Sequence, residues 1–287
     1  MAGALTDPLT RAATMGGRAE EEHVQLDLSG RVVLVTGAGR GIGRTIAEAF
    51  VRERAVVVGI DVSPTALGWL DSARTEAGLG GASLGGDVRD GAQVRAVVDE
   101  VIERFGRVDV LVNNAGINVE GLVEDLSDED WDRCFDVNVA GTFKMCRAVV
   151  PAMKAQRSGR IINAASFAAI VPSVGAAAYA ASKSAVVSLT RVLASELGPW
   201  DVTVNAYAPG MVPTAMNGFA ELAPAAADRL LDTLSLRRWG DPAEVADVVC
   251  FLASDAARYV TGTLVDVSGG KLATQVPRKA YDLAEQG

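Results

Sequence analysis

Tyr179 and Lys183 stand four residues apart in the stretch YAASK. On a helix that spacing puts both side chains on one face, where an ammonium can stabilise a phenolate. Such a pair moves protons without a histidine. Tyrosine starts near a pKa of about 10, so a neighbouring cation has to bring it toward the working pH before it exchanges protons efficiently. Alone, Tyr-x-x-x-Lys is more readily an exposed surface pair, and its weight comes from its company. Ser166, 13 residues earlier at the end of a strand-like run, is close enough for a loop to bring the two hydroxyls together, where the serine would polarise a carbonyl.

A second group suits a phosphate. TGAGRGIG at positions 36–43 follows a strand-like run and opens a helical one. In that context Gly37, Gly41 and Gly43 let backbone amides approach a pyrophosphate at a helix N-terminus. A tight turn alone would use the same glycines. Asp61 ends the next strand-like run, 18 residues after Gly43, where a carboxylate accepts both hydroxyls of an adenosine ribose and repels a 2'-phosphate. NAD is therefore expected over NADP. The alternative is that Asp61 merely caps a turn before Ser63 and Pro64, and Arg40 adds a cation suited to a phosphate. Asn113, Asn114, Ala115 and Gly116 close another apolar run, at the edge where open α/β sheets take ligands, though a plain turn also favours them.

Other chemistries lack their residues. The single histidine, His23, lies in a polar N-terminal stretch, and Cys134, Cys146 and Cys250 do not cluster. This argues against a Ser-His-Asp triad, a catalytic metal and a disulfide framework, and no metal is expected. A formal charge of −9 disfavours nucleic acid and anionic membrane surfaces. No apolar run reaches the roughly 18 residues of a membrane span. The expectation is a cytoplasmic protein with no membrane or nucleic-acid partner.

The elements that must position these residues alternate. Strand-like runs at 32–36, 55–60, 108–112, 160–164, 202–207 and 264–267 are separated by helical patterns at 42–52, 91–105, 128–155, 176–197 and 242–253. Repeated β-then-α order predicts a doubly wound parallel sheet of Rossmann type in one domain, 29–270. Residues 1–28 read as an extension expected to be mobile, 271–287 as a C-terminal extension, and the glycine-rich stretch 78–86 as a surface turn. With 49% apolar residues the chain can bury one large core.

Taken together, TGAGRGIG, NNAG, Ser166, YAASK and the Pro209-Gly210 pair resemble the short-chain dehydrogenase/reductase family over about residues 28–270. The resemblance implies seven parallel strands and a nicotinamide cofactor, with Tyr179 as general acid/base, Lys183 on the nicotinamide ribose and lowering the tyrosine pKa, and Ser166 orienting the reacting oxygen. It further implies that Asn138 holds a relay water, that Asp87 and Val88 meet the adenine, and that Val212 and Thr214 fix the carboxamide. Ile42 falls within the phosphate loop. VDVSGG at 265–270 departs from the family pattern at Val267 and Ser268. The C-terminal segment is longer than the family usually carries.

The activity implied is hydride transfer between NAD(H) and a small secondary alcohol or ketone. A 3-oxoacyl-thioester reductase using NADPH and a catalytically silent NAD-binding protein are the alternatives. Glycine spacing of the GxxxGxG kind disfavours sugar-nucleotide epimerases. Family likeness also implies a homotetramer paired through the helices at 128 and 176. Residues 211–236, with Met216, Phe219, Leu222, Leu230 and Leu231, would form either a lid over the nicotinamide or an amphipathic helix packed on the sheet.

Overall fold

The computed structural model describes residues 26–215 and 217–285. His23, Met216 and the expected extension up to residue 25 lie outside them. In chain order the elements are β1 (Val32–Thr36), α1 (Gly41–Arg52), β2 (Val56–Asp61), α2 (Gly68–Ala77), β3 (Gly81–Gly85), α3 (Gly91–Phe105) and β4 (Val110–Asn113). There follow α4 (Asp128–Phe135), α5 (Thr142–Gln156), β5 (Gly159–Ala164), α6 (Ala177–Leu197), β6 (Val202–Pro209), α7 (Pro224–Leu231), α8 (Pro242–Ala253), β7 (Leu264–Val267) and α9 (Lys279–Ala284).

Seven strands form one sheet in the order β3-β2-β1-β4-β5-β6-β7. Every pairing is parallel; Val33, for example, is in register with Val57 on one side and Val110 on the other. The inner strands are apolar at nearly every position because both faces are covered. In β1, Val33 and Val35 face Ile46 and Phe50 of α1 with Val245 and Val249 of α8. Val32 and Leu34 face Val97 and Val101 of α3 with Met145 and Val149 of α5. The chain reverses its direction of travel between β1 and β4, and a ligand site is expected in the crevice beyond their carboxyl ends.

Helix ends explain why the helices start where they do. The Asp90 carboxylate accepts hydrogen bonds from the Ala92 and Gln93 amides to begin α3, which stops at Gly106 with φ 75°. A capping box between Asp241 and Glu244, with Pro242 first in the helix, begins α8.

The elements depart from the sequence reading in three places. The glycine stretch turns only at its start, where α2 ends at Gly78 with φ 64°; Gly81–Gly85 is β3, the edge strand beside β2. At Gly81 (φ 140°) a Cβ would stand 2.1 Å from the Val57 carbonyl oxygen, so close backbone approach selects glycine there. α2 was also unforeseen. The helix expected over 128–155 is two helices joined by a π-helical turn, Asp136–Gly141. Asn138 sits in that turn, and its side-chain amide bonds both the amide and the carbonyl of Ile117.

Between β6 and α8 the chain forms neither one long amphipathic helix nor a plain loop. Phe219 stacks on Trp239 with ring centroids 5.5 Å apart, and only Pro224–Leu231 is α-helical. No helix among the described residues is long and apolar enough to cross a membrane.

Candidate active site

The glycine loop meets the start of α1 in a cradle for an anion. Gly37 and Gly41 adopt φ 66° and 56°, which favours glycine at both. At Gly43 a Cβ would lie 2.2 Å from both Asn114 Nδ2 and the Gly37 carbonyl oxygen. α1 has no side-chain cap and no acidic residue in its first turn, so its leading amides are open to a negative ligand. Arg40, the residue before the helix, is exposed beside them.

Thr36 ties this loop to β4. Its hydroxyl accepts from the Asn114 and Ala115 amides, each at 3.0 Å, while Asn114 Nδ2 donates to the Thr36 and Gly37 carbonyls. Tyr207 donates to Asn114 Oδ1 at 3.0 Å, so β6 joins the same lock. Asn113 points the other way, into a buried network with Asn163 and Cys146. At the end of β2 the Asp61 carboxylate accepts from the Gly39 amide through Oδ2 and from the Ser63 amide through Oδ1, both at 3.0 Å. The turn-capping role and the orientation toward the phosphate loop are thus both present in one residue.

These elements enclose a cavity of about 620 Å³ along the carboxyl edge of the sheet. Its walls include Gly37, Arg40, Gly41, Ile42 and Gly43 at the cradle, Asp61 at one side, and Asp87 and Val88 beyond it. Asn114, Ala115 and Gly116 line it too, as do Pro209, Gly210, Val212 and Thr214. The Asp87 carboxylate is gripped by Arg89, which holds its pKa below the ordinary value. Gly210 packs against Ser268, 2.6 Å from where a Cβ would stand, so the departure at Ser268 sits behind the wall.

Ser166, Tyr179 and Lys183 line the same cavity. Ser166 follows β5, and Tyr179 and Lys183 project from the first turns of α6. Lys183 is buried, its Nζ donating to the Ala164 carbonyl at 2.8 Å and lying 5.7 Å from the centre of the Tyr179 ring. Burial brings its pKa down to about 8. The Tyr179 phenol is shifted upward by burial, against a smaller opposing effect of a hydrogen bond with Ser166. The expectation that Lys183 lowers the tyrosine pKa is therefore not met by the protein's own groups. The ammonium is aimed at the Ala164 carbonyl, and desolvation of the phenolate is the largest effect on the tyrosine.

Asn138 stands one layer behind the cavity wall and is buried. Its Oδ1 accepts from the Ile117 amide at 2.9 Å, and its Nδ2 donates to the Ile117 carbonyl and to Ser182 Oγ, both at 3.0 Å. Ser182 in turn donates to the Tyr179 carbonyl at 2.7 Å. Both ends of the amide are engaged, so it braces Ile117 and the Tyr179 turn. A Cβ at Gly116 would come 3.1 Å from Asn138 Oδ1 and 3.3 Å from Lys183 Nζ, which keeps that position open.

Sequence reading did not single out Tyr207, Ser182, Asn118 or Asn217, although Tyr207, Asn118 and Asn217 line the cavity. Ser182 lies within YAASK, the one local signal available. Tyr207 is 93 residues from Asn114, and no short-range pattern announces their contact. Among the described residues no group of three or more His, Cys, Asp or Glu is placed to hold a metal. The three cysteines are free and buried.

A doubly wound parallel sheet with an anion cradle at its switch point and a Ser, Tyr, Lys set beside it defines a dinucleotide-binding oxidoreductase. A family model described as "Enoyl-(Acyl carrier protein) reductase" matches residues 37–271. The chain is 42% identical over 246 residues to a 3-oxoacyl-[acyl-carrier-protein] reductase of Thermotoga maritima, covering 85% of this chain and 98% of that protein. Its fold is similar to that of levodione reductase, with TM-score 0.81, 37% identity, and 86% and 99% of the two chains covered. It is similar also to NAD+-bound xylitol dehydrogenase, with TM-score 0.80, 32% identity, and 85% and 99% covered. The chain belongs to the short-chain dehydrogenase/reductase family.

Proposed function

We propose that this chain reduces the 3-oxo group of an acyl thioester with a nicotinamide dinucleotide. The observation that carries the chemistry is that Ser166, Tyr179 and Lys183 line one cavity with the glycine-loop anion cradle. The substrate class is supported by the name of the Thermotoga maritima relative, which favours this reading over a general alcohol or ketone.

The cradle fits the cofactor. Gly37, Arg40, Gly41, Ile42 and Gly43 would hold the pyrophosphate, Asp61 the adenosine ribose, and Asp87 and Val88 the adenine. Asn114, Ala115, Gly116 and Lys183 would hold the nicotinamide ribose, and Pro209, Gly210, Val212 and Thr214 the carboxamide. When bound, the nicotinamide supplies the hydride. Ser166 donates a hydrogen bond to the substrate carbonyl oxygen, and Tyr179 delivers its phenolic proton to that same oxygen. Lys183 holds positive charge beside the ring and supplies the replacement proton. Asn138 is a positioning residue, acting through Ile117 and Ser182.

Asp61 supports NADH over NADPH, because a carboxylate already fixed by two amides repels a 2'-phosphate. The same residue, with the NAD+-bound xylitol dehydrogenase neighbour, supports a second reading: an NAD+-linked dehydrogenase of a polyol or secondary alcohol. Exposed Trp131, Phe143 and Val192 on α4, α5 and α6 support a tetramer paired through these helices, which light scattering would measure.

Absorbance of NADH and NADPH, followed with acetoacetyl-N-acetylcysteamine, tests the first reading, and NAD+ reduction with xylitol tests the second. Consumption of reduced cofactor with the thioester alone supports the reductase. Turnover of xylitol alone replaces it with the second reading.

A further inference from the structure

The segment between β6 and α8 begins at the cavity, and its far end folds back onto its own start. Val212, Thr214, Ala215 and Asn217 line the cavity, and the Gly240 amide donates back to the Met211 carbonyl at 3.0 Å, closing the base of the excursion. Its outer leg, α7 and the residues after it, has no partner in the sheet; the chain following β7 covers it instead. Leu236 donates from its amide to the Gly269 carbonyl at 3.0 Å, and Leu272 donates to the Thr233 carbonyl at 2.9 Å. Leu234, between them, is buried.

Beyond these backbone bonds, two side chains of the final segment reach the same leg. Tyr281 donates its hydroxyl to the Ser235 carbonyl at 2.8 Å. Arg278 contacts Asp232 Oδ1 at 3.4 Å, an oxygen that also accepts from Arg237 Nε at 2.9 Å. A bond from Arg278 Nε to Asp282 at 2.8 Å sets the guanidinium in place at the start of α9. The family match ends at residue 271, so Arg278 and Tyr281 belong to a part of the chain outside it.

We propose that residues 272–285 are a strap in which Arg278 and Tyr281 act as positioning residues for the substrate-side wall, and so set which substrates the site admits. This rests on the reading that residues 211–240 face the substrate. Exposed ion pairs and single hydrogen bonds are individually weak, so such a strap contributes little to global stability. It acts on a local opening, the class of motion from which lids are drawn. With the strap released, the outer leg opens, small substrates are held less well, and longer acyl chains gain access.

The test compares the native chain with Arg278→Ala/Tyr281→Phe, with Arg278→Lys, and with a chain ending at Ala273. Hydrogen exchange of residues 224–236 reads the strap's grip without any need for turnover. Faster exchange there, with exchange of α1 and β1 unchanged, is expected in the double variant and the truncation. KM for the acetoacetyl thioester is expected to rise about three- to tenfold with a smaller change in kcat, and Arg278→Lys to recover part of it. The ratio of kcat/KM for a longer over a shorter 3-oxoacyl chain is expected to increase.

Unchanged exchange in residues 224–236 would overturn the proposal. Faster exchange with unchanged KM and unchanged chain-length preference would overturn it too, leaving the segment a structural cover. If the native chain turns over no 3-oxoacyl thioester, the reductase reading fails, and the exchange result still decides whether the strap holds the wall.

Discussion

Lys183 donates from Nζ to the Ala164 carbonyl at 2.8 Å, which anchors the buried ammonium to the strand leading to Ser166 and leaves it beside the Tyr179 ring. An ammonium held this way is costly. Burial brings its pKa down from 10.5 to about 8. Below about pH 8 the lysine is charged in both folded and unfolded chains, and the folded chain carries the whole desolvation cost. As pH rises from about 8 toward 10.5, the folded chain releases the proton while the unfolded chain keeps it, so the cost is relieved.

Lys183→Met is therefore expected to be more stable than the native chain at pH 7, by about 1–3 kcal/mol. The gain should shrink as pH passes through this window. Thermal melts across the range check it, and a Met variant less stable than native at pH 7 would contradict the desolvation argument.

The same titration appears in catalysis. In reduction Tyr179 is the proton donor, and its raised pKa keeps it protonated at neutral pH. The expected profile of kcat/KM for reduction is flat at neutral pH and falls as pH rises through about 8, where Lys183 loses its charge. Lys183→Arg keeps the charge and should move the fall to higher pH at a lower plateau, because a guanidinium does not deprotonate there. A profile unmoved by that substitution would remove Lys183 from the proton path.

At the cofactor end, Asp61→Ala should weaken NADH binding about tenfold, roughly 1.4 kcal/mol, and leave NADPH binding unchanged or stronger. Fluorescence titration of both cofactors measures it. Equal losses for the two would mean that Asp61 acts only by shaping the loop through Gly39 and Ser63.

Gly43→Ala puts a Cβ 2.2 Å from Asn114 Nδ2 and the Gly37 carbonyl, neither of which can move without opening the link between β1 and β4. It should cost about 1–3 kcal/mol of stability and abolish measurable cofactor binding. Gly78→Ala is the control for a glycine with open space around it, where strain from its φ of 64° is the only penalty. Cofactor binding in Gly43→Ala within twofold of native would refute the cradle.

What could be read in the chain follows from where the information lies. Tyr179 and Lys183 are four apart on one continuous helix, so their shared face is a local property. The strands of the inner sheet announce themselves because burial on both faces forces apolar residues at nearly every position, as in β1. β3 was hidden because its glycines answer to neighbours elsewhere, Gly81 to Val57 and Gly85 to Pro64. The π-helical turn was hidden for the same reason: the bonds from Asn138 to Ile117 bridge 21 residues. The upward shift of Tyr179 was missed because residue spacing carries no measure of desolvation.

Turnover by Tyr179→Phe, with cofactor binding measured on the same sample, bears most directly on the proposed chemistry. The substitution removes one hydroxyl and keeps the ring against Lys183. Loss of turnover by about 100-fold or more, with NADH affinity within about twofold of native, is the predicted result for a general acid. A variant that retains native turnover would contradict the assignment of the proton to Tyr179.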